Sequence, residues 1–133
     1  MSHIRISDAA RFLGVSDDTV RRWVSSGALA SANDASGRMA IDGRELAEFA
    51  KAQAGTPLES GSPTSARNRL VGLVTGVKAD HVMAQVDLQC GPFRIVSLMS
   101  SEAVQELGLE PGSVAVAVIK STTVIIEALE GKP

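Results

Sequence analysis

At 133 residues the chain is short enough for one domain or two small modules, and neither module would bury a large core alone. Hydrophobic residues make up 44% of it but aromatics only 3%, with no tyrosine, which favours an aliphatic β-barrel core over an aromatic-lined cleft. A net charge of −2, with no basic excess in either half, excludes a global field drawing the protein onto nucleic acid, so any such binding must use local cations and several copies.

The single cysteine, Cys90, rules out an internal disulfide and fits a reducing cytoplasm. The opening MSHIRISDAARFL lacks the apolar run of a secretory signal, and no later stretch approaches the length of a membrane span. The expectation is a soluble cytoplasmic protein with no membrane partner. Composition divides the chain into a helical segment over 1–53, a Gly/Pro/Ser-rich linker over 54–64 and a strand-rich segment over 65–130.

In the first segment, Ser7 is the expected cap of a short helix carrying Ala9, Ala10 and Leu13, ended by Gly14. Ser16 caps a second helix, with Asp17 and Asp18 in the first turn where the dipole favours acids. Val20, Trp23 and Val24 share its inner face, and Gly27 stops it. A hairpin with turn residues Asn33-Asp34 and Ser36-Gly37 follows, then a helix GRELAEFAKAQ burying Leu46, Phe49 and Ala50.

Strands are expected over Asn68–Lys78 and His81–Gln89, joined by a turn at Ala79-Asp80. Alternation in the second places Val82, Ala84, Val86 and Leu88 on one face. A third strand runs over Phe93–Ser100, a short helix over Ser101–Leu107, and two more strands over Val114–Lys120 and Val124–Leu129. Five strands and one helix predict a small barrel of the oligonucleotide-binding type. The fold class is therefore α+β, a mainly helical N-terminal module followed by a small β-barrel.

Two short helices around a Gly-Val turn provide the geometry for placing a helix in the major groove. The segment ISDAARFLGVSDDTVRRWVSSGAL resembles the MerR/excisionase-like winged helix-turn-helix family, with the hairpin as wing. The resemblance implies that Ser16 and Thr19 touch DNA near the helix start, that Arg21 and Arg22 reach phosphates, and that Arg38 sits in the wing. Arg38 is the sole cation of a wing that in this family often carries several, so affinity per copy should be weak. The plainer alternative makes Arg21 and Arg22 a solvated helix face.

The second half resembles the Mop, or molbindin, domain of the TOBE type. Its anchors are Ser65-Ala66-Arg67-Asn68, then Leu107-Gly108-Leu109 with Pro111-Gly112, then Ile119-Lys120-Ser121, in that order. The resemblance implies a molybdate or tungstate ligand bound between subunits. Such a tetrahedral dianion needs N–H, O–H and cationic donors and no nearby carboxylates. The implied donors are Ser65, Arg67, Lys120, Ser121 and Thr122, with main-chain amides around Ala66 to Asn68. A neighbour's strand-to-helix corner would add Ser100, whereas Ala103 stands where a serine is common, removing one donor. Lys120, ending an apolar strand, is expected to be a costly cation that an anion would relieve.

His3, His81 and Cys90 are too scattered for a metal site. No serine is accompanied by a His-and-acid pair or a nucleophile elbow, and there is no phosphate-binding glycine loop. The reading is a non-enzymatic, molybdate- or tungstate-responsive DNA-binding regulator with no organic cofactor. It is expected as a homo-oligomer, a hexamer built as a trimer of dimers, with a dimer as the alternative. The competing functions are molybdate storage and an architectural DNA protein whose β-domain only oligomerises.

Overall fold

A computed structural model describes residues 3–54 and 63–129. The expected linker falls mostly outside them, with only Ala54, Pro63 and Thr64 described, and position 130 of the second segment also lies outside. The described residues fall into two compact units, the first made of 3–54 with 127–129 and the second of 63–126. No described helix is long and apolar enough to cross a membrane.

In the first unit the order is β1 (His3–Arg5), α1 (Ile6–Leu13), α2 (Asp17–Ser25), β2 (Ala32–Asn33), β3 (Met39–Asp42) and α3 (Gly43–Gln53). The cap of α1 is Arg5 with no side-chain hydrogen bond, not the expected Ser7. The cause is β1, which runs straight into the helix and pairs with β3 through Ile4↔Ile41, so tertiary pairing sets the helix start. Gly14 ends α1 at φ 69°, a left-handed conformation that costs glycine little. Ser16 then caps α2, its hydroxyl oxygen accepting from the Thr19 N–H. Ile6, Ala9, Ala10, Val20, Leu29, Ile41 and Leu46 form the core, and Trp23 packs on Phe49 with ring centroids 4.8 Å apart.

The second unit is one antiparallel sheet in the order β6-β5-β4-β7, with β4 Asn68–Ala79, β5 Met83–Cys90, β6 Phe93–Ser100 and β7 Val114–Ile119. The helix α4, Ser101–Leu107, follows β6 and buries Val104. The inner face carries Val74, Ala84, Val86, Leu88 and Cys90, so the alternation read in β5 holds from Ala84 onward, while Val82 precedes the strand and is exposed. The expected fifth strand is not formed. Ser121–Thr123 make a single 3-10 turn, and Val124–Leu129 carry no strand or helix and are exposed. A strand exists only where a neighbour supplies its hydrogen bonds, and among the described residues none does so for this β-branched run.

Strand β4 carries a register shift against β5 between Val74 and Gly76, and at Gly72 its backbone lies close against the end of β5. An added Cβ at Gly72 would lie 2.6 Å from both the Cys90 Sγ and the Gln89 carbonyl oxygen, the latter a backbone atom that cannot swing away. Gly72→Ala is therefore expected to destabilise the chain by about 1–3 kcal/mol, the usual cost of overpacking. Urea denaturation measures this, and an unchanged midpoint would show that the close approach at Gly72 does not need the bare backbone.

Candidate functional site

The donor-rich entry of β4 and the end of β7 are brought together by strand pairing. Asn68 lies opposite Ile119 in the register, and its side-chain amide donates to the Ile119 carbonyl at 3.1 Å. Ser65, Ala66 and Arg67 therefore enter the sheet beside the point where Lys120, Ser121 and Thr122 leave it. Neither segment holds a carboxylate.

The Arg67 guanidinium folds back over its own turn, donating to the Thr64 carbonyl at 2.8 Å and the Ala66 carbonyl at 3.3 Å. Thr64, absent from the expected set, accepts the Ala66 N–H on its hydroxyl at 3.2 Å, so that amide is engaged. A hydroxyl two residues ahead of an amide is a recognisable turn signal and could have been read from the sequence. Lys120 is exposed, which corrects the expectation of a costly cation: in one chain its ammonium is solvated and carries no burial penalty. Its carbonyl accepts from the Thr123 N–H and hydroxyl at 3.0 and 2.8 Å, fixing the turn over Ser121–Thr123. Arg69 was also overlooked. Its Nε is buried without a partner among the described residues, and it is the second residue of β4, two positions beyond Arg67.

Ser100 and Ala103 lie elsewhere. Ser100 closes β6 and caps α4, its hydroxyl oxygen accepting from the Ala103 N–H at 3.0 Å while its own proton stays available to donate. Ala103 has thus spent its amide and offers no side-chain donor. Ser101 is also engaged, donating to the Asp80 carbonyl at 2.8 Å. The Asp80 carboxylate in this corner accepts from the Val82 and Met83 N–H groups at 2.7 and 2.8 Å. The Met83 bond, then the Val82 bond, holds the carboxyl below the ordinary aspartate range.

Register sets the separation of the two groups. Ser100 lies opposite Met83, and the adjoining Ala84 lies opposite Ala79, so the corner is at the Ala79 end of β4. The other donors gather at the Asn68 end of this 12-residue strand. At the usual rise per residue roughly 35 Å of strand, measured along the chain, lies between its ends. One chain does not bring the two groups together.

In the first unit, Ser16, Thr19 and Arg22 form a hydrogen-bonded ladder along α2. The two hydroxyl oxygens are 3.0 Å apart, and the Arg22 guanidinium donates to the Thr19 oxygen at 3.2 Å. Arg21 is exposed beside them, and Asp17 and Asp18 occupy the same first turn. Arg38, exposed, closes the hairpin tip between β2 and β3. The Asp34 carboxylate pins that tip, accepting from the Ser36 N–H, the Ser36 hydroxyl and the Arg38 N–H at 2.8, 2.6 and 3.0 Å. No cluster of three or more potential metal ligands occurs among the described residues.

The fold and these surfaces define a helix-turn-helix unit followed by a TOBE-type β-unit, and comparison with known proteins agrees. A helix-turn-helix domain family matches residues 4–54, and the TOBE domain family matches residues 64–126. Molybdenum-pterin-binding protein 1 of Clostridium pasteurianum is 46% identical over 65 residues, which is 48% of this chain and 96% of that protein. MopII from the same organism, in an apo structure, is 45% identical, with a TM-score of 0.47 over 50% of this chain and all of its own. The cytoplasmic molybdate-binding protein ModG, solved with molybdate bound, is 45% identical, with a TM-score of 0.47 over 49% of this chain and 47% of its own. In its second half the chain belongs to the molybdenum-pterin-binding, TOBE-domain family, and it carries a helix-turn-helix domain in front.

The Asp80 turn yields a prediction about acid. Because the carboxyl is held below its unfolded value, its contribution is full above about pH 4 and is lost as pH falls through the folded value. NMR titration should show the Asp80 carboxyl, and with it the Val82 and Met83 amides, titrating below an ordinary aspartate. Titration at the ordinary value would contradict the turn geometry.

Proposed function

We propose that the protein is a molybdate- or tungstate-responsive DNA-binding regulator whose β-units bind the oxyanion between subunits. The observation that carries this reading is the carboxylate-free group of donors gathered where β4 begins and β7 ends, in a chain whose relatives are molybdenum-pterin-binding proteins. The dianion accepts hydrogen bonds on all four oxygens. Lys120 supplies a full charge, Ser65, Ser121 and Thr122 supply hydroxyls, and the Arg67–Asn68 backbone supplies N–H groups. Ser100 of a second copy completes the set, since a chain cannot offer its own. Ala103 marks the approach of that corner and adds no donor.

Association is favoured by what the β-unit leaves uncovered. The face shared by β4 and β7 exposes Val71, Leu73, Val114, Val116 and Val118, an apolar stripe that water does not favour. Among the described residues strands β6 and β7 are open edges, and Ile125 and Ile126, 87% and 85% exposed, belong to a strand-forming run that no described strand pairs with. A second copy pairing with that run would close the barrel. Assembly as a hexamer, a trimer of dimers, follows the family resemblance, and a dimer meets the same physical need. Cytoplasmic residence fits the free Cys90.

The DNA half of the proposal rests on the helix-turn-helix match and on Arg21, Arg22 and Arg38 at its surface. The acids Asp17 and Asp18 weaken the pull of a single copy on phosphate, so several copies held at fixed spacing must share the work. The anion regulates by favouring one quaternary arrangement over another.

Calorimetry with molybdate, tungstate and sulfate tests the anion site. Lys120→Ala should weaken molybdate at least about tenfold, the value of a charged hydrogen bond, without altering circular dichroism. Silence of the unaltered protein toward all three anions would remove the oxyanion reading. For DNA, Arg21→Ala should lower affinity on every sequence and reduce the slope of log affinity against log salt by about one. Sequence-indifferent binding, with or without molybdate, would favour storage instead.

A further inference from the structure

Resting on the DNA-binding reading above, we infer that Thr19 is a positioning residue that aims Arg22 at a guanine, making Arg22 the base-reading arginine of α2 and leaving Arg21 to phosphate. The two arginines are adjacent in sequence and both exposed, yet among the described residues only Arg22 has a side-chain hydrogen bond to hold it. A free arginine side chain loses several rotatable bonds' worth of entropy when it docks, and a restrained one loses less.

The restraint has a defined chemistry. Guanidinium nitrogens donate and never accept, so in the 3.2 Å contact the Thr19 oxygen is the acceptor. That oxygen is itself held 3.0 Å from the Ser16 hydroxyl, whose oxygen also caps the helix by accepting the Thr19 N–H at 3.2 Å. Arg22 is thus tied, through two hydroxyls, to the rigid N-terminus of α2. The tether uses one hydrogen of one terminal nitrogen. Four N–H donors remain, enough to present a planar two-pronged fork to the O6 and N7 of a guanine in the major groove. Thr19 is partly buried and its hydroxyl is engaged by both Ser16 and Arg22, so its part in this assignment is to fix the arginine.

The consequence is a division of labour. Loss of Arg22, or of the Thr19 hydroxyl, removes preference at one guanine per half-site. Loss of Arg21 weakens every sequence alike.

Selection of bound duplexes from a randomised DNA pool, sequenced after enrichment, tests this with the full-length protein. The unaltered protein should enrich one guanine per half-site. Thr19→Val, which keeps the shape and removes the acceptor, should lower that preference about tenfold or more, matching Arg22→Ala at the same position. Thr19→Ser should restore it, and Arg21→Ala should keep the preference while weakening binding overall. Unchanged circular dichroism of each variant confirms that the helix is retained. If Thr19→Val keeps the guanine preference, or Arg21→Ala abolishes it, the assignment is overturned while DNA reading stands. If the unaltered protein enriches no sequence, the DNA reading fails and the assignment with it.

Discussion

Strand β4 imposes the constraint that governs the β-unit. It pairs with β5 on one side and β7 on the other, and its length sets the donor-rich turn at one end and the Ser100 corner at the other. No rotamer change bridges roughly 35 Å of ordered strand. A site needing both groups must therefore be assembled from two chains, and that requirement connects oxyanion capture to quaternary structure in the proposed mechanism. The close approach at Gly72 and the shift between Val74 and Gly76 belong to the same strand, so packing and the proposed assembly depend on one element.

The first unit is built on different physics. Its small core is closed by the Trp23–Phe49 contact and by a three-stranded sheet in which β1 pairs with β3. What it presents to solvent is modest in charge, with cations on α2 and the wing balanced by acids in the same turn. Weak single contacts suit the proposed mechanism, in which output is set by how many copies are held at the correct spacing, because effective concentration multiplies them steeply. A strongly basic unit would bind DNA irrespective of assembly and would leave the anion little to control.

Much of this was legible in the sequence where the signal is local. The helices Ser101–Leu107 and Gly43–Gln53, strand Phe93–Ser100, the Ser16 cap and the Gly14 stop all follow from nearby residues, and the structure has them with those bounds. What was not legible depends on distant partners. His3–Arg5 form a strand only because β3 lies alongside, which moved the α1 cap to Arg5 from a serine that looked suitable. Val124–Leu129 have the composition of a strand and no partner among the described residues, so composition overstated them. The candidate donors were legible as residue types in order, and their division between the two ends of β4 was not, since register appears only once strands pair. Arg69 and Thr64 were missed because neither belongs to the motif that drew attention to its neighbours.

Mixing two defective chains offers a decisive measurement. Lys120→Ala and Ser100→Ala each remove one side of the proposed pocket. Refolded separately and checked for intact folds, each should bind little molybdate. Co-refolded in equal amounts, they should recover a substantial fraction of binding, because in each mixed dimer one of the two shared pockets joins an intact Lys120 to an intact Ser100. Recovery no greater than the mean of the two variants alone would place both groups in one chain, contradicting a pocket shared between copies.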